Sequence, residues 1–338
     1  MGYGYVPITV TNNESSATST NFQQLVTVDL SYYSSFLNAD LSNTFFSSDT
    51  AGSTVLNSWL ESGNKYPFDS VNFWVVLPNG IAANSSTTIY LQVDLANANH
   101  FNTTTTGESP LLSSSYGEYD NGANVFNLYN NFAGTTLNSD ISVPSAASVS
   151  QNNGLTFSVA TTDNQMNVTY EAQTISMPFL MISNVNYNPN TGNFTNYEFG
   201  IGIASGSGSA SGNPVPMMVG IIPNGGDMQV SSQSTTYLSQ SVPEGSSQFG
   251  AYLWSLTISS TYASFSDTLH TLSGSYSSPQ ITSGYPSFYY SNNNGGEIAS
   301  INYLAVSNYP PNGVMPSIST SNPVNFPYIN TSTNEDLF

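Results

Sequence analysis

Two histidines, His100 and His270, are the whole imidazole inventory of this 338-residue chain. A serine nucleophile needs a neighbouring base, and no Gly-x-Ser-x-Gly elbow occurs to present one. His270 lies in Ser266-Asp-Thr-Leu-His-Thr271, which reads as a solvated or capped histidine. Carboxylates are the more serious catalytic candidates, because glycoside hydrolysis needs only two carboxyl groups on one concave face. Glu171 and Glu198 sit in strand-like runs, yet neither belongs to a Glu-x-Asp-x-x-Glu cluster. Both read as outward-facing strand carboxylates. Glu118-Tyr-Asp120-Asn-Gly122 offers oxygen ligands at a turn spacing that calcium uses, but it is too short for an EF-hand loop and reads as a structural turn. Lys65 is the only lysine, and Gly63-Asn-Lys-Tyr-Pro67 reads as an exposed turn, not the buried setting an isopeptide crosslink needs. No catalytic, cofactor-binding or metal-ligating residue is therefore assigned, and no cofactor is expected.

Other residue patterns concern surfaces. Asn-x-Ser/Thr sequons occur at Asn13, Asn84, Asn102, Asn167, Asn193 and Asn330. Sequence this rich in Asn, Ser and Thr generates such triplets by chance, so they mark acceptor positions without proving use. Trp59, Trp74, Trp254, Tyr252 and the run Phe288-Tyr-Tyr290 could line a sugar-binding face, although a β core uses the same rings.

Charge narrows the partners further. The chain has one Lys, no Arg and 20 acidic residues, for a net charge of −19 at pH 7. Phosphate contacts need Lys or Arg, so nucleic acid is excluded as a partner, and anionic membrane surfaces are disfavoured. Charged residues make up only 6%, with Ser, Thr, Asn and Gln in their place. Near pH 2–3 most carboxylates would be protonated, and few ion pairs exist for acid to break. The balance suits an acidic habitat, and stability is expected to rise as pH falls from 7 towards 3. There is no cysteine, hence no disulfide framework and no thiol chemistry. No apolar stretch reaches the roughly 18 residues of a membrane span, and no signal peptide is evident after Met1. Virion proteins assembled inside a host need none.

The elements that must position all this are strands. Tyr5–Thr11, Leu25–Leu30, Phe73–Leu77 and Thr87–Asp94 form a first set of short, β-branched or alternating runs. Gly154–Ala160, Tyr197–Ile203, Pro216–Ile222, Tyr252–Ile258 and Glu297–Val306 form a second. Helical periodicity is weak, with short helices expected only within 23–37 and 53–59. The Thr/Ser/Gly-rich stretch 102–117 reads as the connection between two domains, Ser205–Gly212 as a loop, and 317–338 as an extended polar tail. Domain bounds of 1–112 and 113–316 follow.

Several motifs resemble a family. Tyr5-Val-Pro-Ile-Thr-Val-Thr-Asn12, Ser58-Trp-Leu-Glu-Ser-Gly63, Phe73-Trp-Val-Val-Leu-Pro78 and Thr105-Thr-Gly-Glu-Ser-Pro110 are similar to a surface module of archaea and bacteria. Tyr116-Gly-Glu-Tyr-Asp-Asn-Gly-Ala-Asn-Val-Phe126, Asn131-Phe-Ala-Gly-Thr135 and Asn308-Tyr-Pro-Pro-Asn-Gly-Val-Met-Pro-Ser317 extend the likeness. Related chains often carry basic residues before the Tyr-Pro-Pro-Asn-Gly motif, where this one has Ala305-Val-Ser307. In that family the module is followed by a concanavalin A-like, laminin-G-like jelly roll. The resemblance implies an all-β chain of two β-sandwich domains, the second a concanavalin-like jelly roll, and it supplies no catalytic residues.

The function expected is non-enzymatic: a structural or adhesive surface protein, such as a filament, envelope or adhesin subunit of a thermoacidophilic archaeon. The alternative is a spike, fibre or decoration protein on the virion of an archaeal virus, with glycan binding, and a third reading is a secreted acid-active hydrolase. Expected partners are further copies of the chain, neighbouring surface or virion proteins, and glycans, at an extracellular, cell-surface or virion-surface location.

Overall fold

A computed structural model gives the fold. It describes residues 2–144, 147–159, 164–187, 197–210, 217–223, 227–232, 235–241, 250–292, 296–311 and 313–326. The chain is all-β, with short 3-10 turns at Ser31–Phe36 and Gly122–Asn124. Among the described residues no helix is long and apolar enough to cross a membrane.

Two compact units are present. The first joins residues 1–125 to 314–338, and the second runs from 126 to 313. The sequence had suggested a break at 112 and a separate tail from 317. Both differ for the same reason: the fold closes the first unit with strands from late in the chain.

The first unit packs a five-stranded sheet on a four-stranded one. Gly4–Asn12 pairs with Ser85–Val93 on one side and with Ser317–Thr320 on the other. Alternation along Gly4–Asn12 sends Val6, Ile8 and Val10 into the core, where Ile89 and Leu91 meet them. In the second sheet Phe22–Val28 pairs with Val71–Leu77, placing Phe22, Val26, Val71, Phe73 and Val75 opposite that face. Thr106–Glu108 lies within the stretch expected to be a linker, yet it joins this sheet as a parallel partner of Ser58–Ser62. The helix expected within 53–59 is absent. Val55–Leu56 and Ser58–Ser62 are strands there, because Trp59 and Leu60 register against Trp74 and Phe73. Of the span 23–37, the first part is strand and only Ser31–Phe36 turns.

The supposed tail is sheet edge. Ser321 N and Val324 N donate to Pro7 O and Tyr5 O, so the pairing runs on past Thr320. Phe326 then packs against Tyr33 and Phe36, with ring centroids 5.0 and 5.6 Å apart.

The second unit is a jelly-roll sandwich of two antiparallel sheets, with nine and eight strands among the described residues. Its core takes Phe199, Ile201, Ile203, Phe288 and Tyr290 from one sheet. Phe157, Met181, Trp254, Leu256 and Phe265 come from the other. The long strand Gly296–Asn308 keeps both halves facing that core through a register shift opposite Ser183 and Val185. Ile301 and Leu304 thus both point inward, and Ser183 Oγ donates to Tyr303 O at 2.6 Å where the ladder is interrupted. The stretch 205–212, read as a loop, contains the short strand Gly208–Ala210, paired with Asn164–Tyr170.

Candidate functional site

The outer face of the nine-stranded sheet carries a cleft. Strand alternation builds it. In Tyr197–Ala204, Phe199, Ile201 and Ile203 fill the core, so Glu198, Gly200 and Gly202 face away from it. In Met217–Pro223, Met218 points inward while Met217, Val219 and Ile221 point outward. In Ser283–Asn292, Tyr289 stands out of the sheet between the inward Phe288 and Tyr290. Met217, Val219, Ile221 and Tyr289 form a small apolar cluster of their own on this face.

Gly200 is the reason the floor is closed. It registers opposite Tyr289 on one neighbour and Ile221 on the other. A Cβ at Gly200 would meet Ile221 Cγ2 at 2.1 Å, so only glycine lets these two side chains lean together. Tyr289 also reaches diagonally across to Glu198, its hydroxyl donating to Oε2 at 2.6 Å. Burial, and then the Glu198 carboxylate, push the Tyr289 phenol well above its ordinary pKa, so it stays a donor.

The resulting cleft holds about 250 Å³, just below the roughly 300–1,000 Å³ of sites for drug-sized ligands. Its rim is polar: Gln229, Ser231, Ser232, Thr235 and Thr236 line it together with Glu198. Ser231 Oγ lies 3.3 Å from Gln229 Oε1 and 3.4 Å from Thr236 Oγ1. Ser232 Oγ is buried and has no hydrogen-bond partner among the described residues. An apolar floor with hydroxyl, amide and carboxylate groups on the rim suits a ligand with apolar C–H faces and a girdle of hydroxyls.

Glu171 does not share this site. It follows the strand Asn164–Tyr170 and accepts from Thr169 Oγ1 at 2.8 Å. Glu198 registers with Ser291 and Thr169 with Ser287 on the intervening strand. Six residues of strand at ~3.3 Å each therefore separate the two glutamates along the sheet, about 20 Å. A glycosidase pair works at roughly 5–10 Å. Among the described residues Glu198 is the one carboxylate lining the cleft.

The remaining candidates fall into structural roles. Asp120 Oδ1 accepts from Trp59 Nε1 and from Gly122 N, both at 3.0 Å, which makes 118–122 a capped turn. Among the described residues no group of three His, Cys, Asp or Glu side chains could hold a metal ion. Lys65 is exposed, and Phe68 N donates to Lys65 O at 2.9 Å in a tight turn. His100 Nε2 lies 3.0 Å from Asp94 Oδ2, and His270 Nδ1 lies 3.3 Å from Asp267 Oδ2. Asp267 also accepts from the backbone of Leu269 and His270, so the second pair closes a turn. Trp59, Trp74 and Trp254 are buried.

The sequons divide. Asn167 is 1% exposed and hydrogen-bonded on both sides of its amide, so the reading of it as an acceptor does not fit the folded chain. Asn13 and Asn84 are exposed and Asn102 is half-buried, while Asn193 and Asn330 lie outside the described residues.

The run Phe288-Tyr-Tyr290, named as rings for a sugar-binding face or for the core, divides between the two: Phe288 and Tyr290 fill the core, and Tyr289 alone faces the cleft.

No protein-family model matches the chain, so the surface-module resemblance rests on its motifs alone. Over 124 residues the chain is 42% identical to "Uncharacterized protein 562" of Sulfolobus islandicus rod-shaped virus 1. The match covers 37% of this chain and 21% of that protein, so the chain spans about a fifth of its relative's length. Among solved structures, a galectin-like protein of unknown function from Bacillus subtilis aligns with 54% of this chain and 95% of its own, at 9% identity and a TM-score of 0.44. A carbohydrate-binding module from Bacillus subtilis aligns with 50% of this chain and 96% of its own, at 7% identity and a TM-score of 0.36. An endo-β-galactosidase from Clostridium perfringens aligns with 56% of this chain and 64% of its own, at 11% identity and a TM-score of 0.40. Lectins, binding modules and glycosidases thus appear side by side, and at these scores they decide nothing about activity.

Proposed function

We propose that this chain is a non-catalytic glycan-binding protein displayed on a virion surface, and that the cleft around Glu198 and Tyr289 holds an uncharged sugar. The observation that carries the reading is the cleft's composition. Glycine on the central strand leaves room for an apolar floor of Met217, Val219, Ile221 and Tyr289 beneath a hydroxyl-rich rim. Glu198 Oε2 is taken by Tyr289, which leaves Oε1 to accept from a ligand hydroxyl. Among the described residues Glu198 is the one charged group on the rim, and in a chain of net charge −19 this disfavours acidic sugars and favours neutral ones. One carboxylate among the described residues of the cleft supports binding over two-carboxylate hydrolysis. The viral relative supports a virion setting over the cellular filament or adhesin.

Retention on immobilised neutral polysaccharides, followed by titration with the sugar that elutes the protein, tests this. Glu198→Gln and Tyr289→Phe should each weaken binding at least about tenfold, the effect of one charge-assisted hydrogen bond of ~1.5–3 kcal/mol. Retention unchanged in both variants would remove the cleft as the site. Release of sugar from polysaccharide at acidic pH would reinstate the hydrolase.

A further inference from the structure

Nδ2 of an asparagine can take a glycan only where a transferase can reach it and where the folded chain tolerates a bulky substituent. The four sequons within the described residues differ sharply on both counts. Asn167 Nδ2 donates to Gly206 O at 2.9 Å, and its Oδ1 accepts from Ser287 Oγ at 2.5 Å, in a fully buried position. Asn102 uses both N–H bonds of its amide, to His100 O at 2.7 Å and to Thr105 Oγ1 at 3.2 Å. Its Oδ1 accepts from Thr104 N and Thr105 N, both at 2.8 Å. A sugar on Asn102 would break part of this turn.

Asn13 and Asn84 are different. Both side chains are exposed, and so are the hydroxyl residues of their sequons, Ser15 and Ser86. Neither asparagine side chain has a hydrogen bond among the described residues. Their backbones, by contrast, are fixed. The ladder ends by pairing Asn12 with Ser85, so Asn13 and Asn84 are the next residues along the two strands. Asn84 N donates to Glu14 O at 2.9 Å. Asn12 clasps the same end, donating to Ser16 O at 2.8 Å and Ala82 O at 3.1 Å and accepting from Glu14 N at 3.1 Å. Asn84 sits in the left-handed region at φ 49°, which asparagine tolerates and most residues do not.

We propose that Asn13 and Asn84 form one N-glycosylated end of the first unit's five-stranded sheet. The donor is an oligosaccharide carried on a polyprenyl phosphate. A new bond joins its anomeric carbon to Nδ2, the anomeric C–O bond breaks, the lipid phosphate leaves with the electron pair, and the amide loses one proton. The chain's other polar groups carry few charges, so a glycan here adds hydration at a sheet end that has only Glu14 as a charged neighbour in the connection 12–16.

The test is glycopeptide mapping of the full chain, expressed in an archaeal host with an active N-oligosaccharyltransferase and compared with Ser15→Ala, Ser86→Ala and the double variant. These changes abolish the sequons while leaving both asparagines, and the left-handed backbone at Asn84, in place. Glycan is expected on peptides carrying Asn13 or Asn84, none on Asn102 or Asn167, and the double variant should lose the glycan at both Asn13 and Asn84 with an unchanged melting temperature. Bare Asn13 and Asn84, or glycan on Asn102 or Asn167, would overturn the proposal.

Discussion

Replacing Glu61 with Gln should flatten the pH dependence of the first unit's stability. Glu61 is 7% exposed, and its Oε1 accepts from Trp74 Nε1 at 2.8 Å. Burial pushes its carboxyl up from 4.5 to about 7, against the opposing pull of the Trp74 bond. A raised carboxyl pKa means that the folded chain binds the proton more tightly than the unfolded one. The stabilisation is therefore complete below the unfolded value and is lost as pH rises through the folded one. A separation of about 2.5 units at ~1.4 kcal/mol each makes the loss about 3 kcal/mol between pH 4 and pH 8. Glu108 adds to it with the same sign. It is 3% exposed, its Oε2 has no hydrogen-bond partner among the described residues, and burial raises its pKa even though Ser113 Oγ bonds its other oxygen. Asp49 and Asp94 act in the opposite sense, because hydrogen bonds hold their carboxyls below the ordinary value and that contribution disappears in strong acid. Stability should peak near pH 4–5, a narrower claim than a steady rise down to pH 3. Urea unfolding followed by tryptophan fluorescence, at fixed ionic strength from pH 3 to 8, measures this. Glu61→Gln should match the wild type at pH 4 and exceed it by about 3 kcal/mol at pH 8. Parallel curves for the two proteins across pH 5–8 would refute the assignment.

Deleting residues 317–338 should lower the stability of the first unit by about 2–4 kcal/mol, since it strips the edge strand from Gly4–Asn12 and removes Phe326 from its aromatic contacts. Calorimetry resolving the two units should show the second unchanged; a full-length-like first transition would mean the segment is dispensable. Gly200→Ala should cost roughly 1–3 kcal/mol, because the added methyl displaces Ile221, and should abolish sugar retention in a variant that still folds. Wild-type retention in that variant would detach the cleft from binding.

Period-two alternation made the strands legible. Val6, Ile8 and Val10 advertise an inward face, and so do Phe199, Ile201 and Ile203. What alternation cannot show is which distant strands share a sheet. Thr106–Glu108 is three residues long and polar, and it lies in a Thr-rich stretch, so nothing local marks it as a partner of Ser58–Ser62. Its pairing is fixed by neighbours such as Asn121, whose Nδ2 donates to Ser58 O at 3.1 Å. The segment 317–326 misled for the same reason. A proline among polar residues suits an exposed edge strand as well as a tail, and only the open side of Gly4–Asn12 decides between them.

The site was half legible. Glu198 was singled out as a carboxylate on a strand, and its outward phase was readable from Phe199 and Ile201. Its significance was not, because that depends on Tyr289, 91 positions away. The pairing arises only when Ser283–Asn292 lies beside Tyr197–Ala204 in a register that sets Gly200 opposite Tyr289. A one-residue slip would turn Tyr289 into the core and Phe288 out of it, so the same hydrophobic pattern that holds the sandwich together also fixes the donor on the cleft. In a chain with so few charges, this is how polar chemistry can be placed. The core dictates register, register brings a phenol to a carboxylate across a glycine, and neither group needs an ion pair to hold its position.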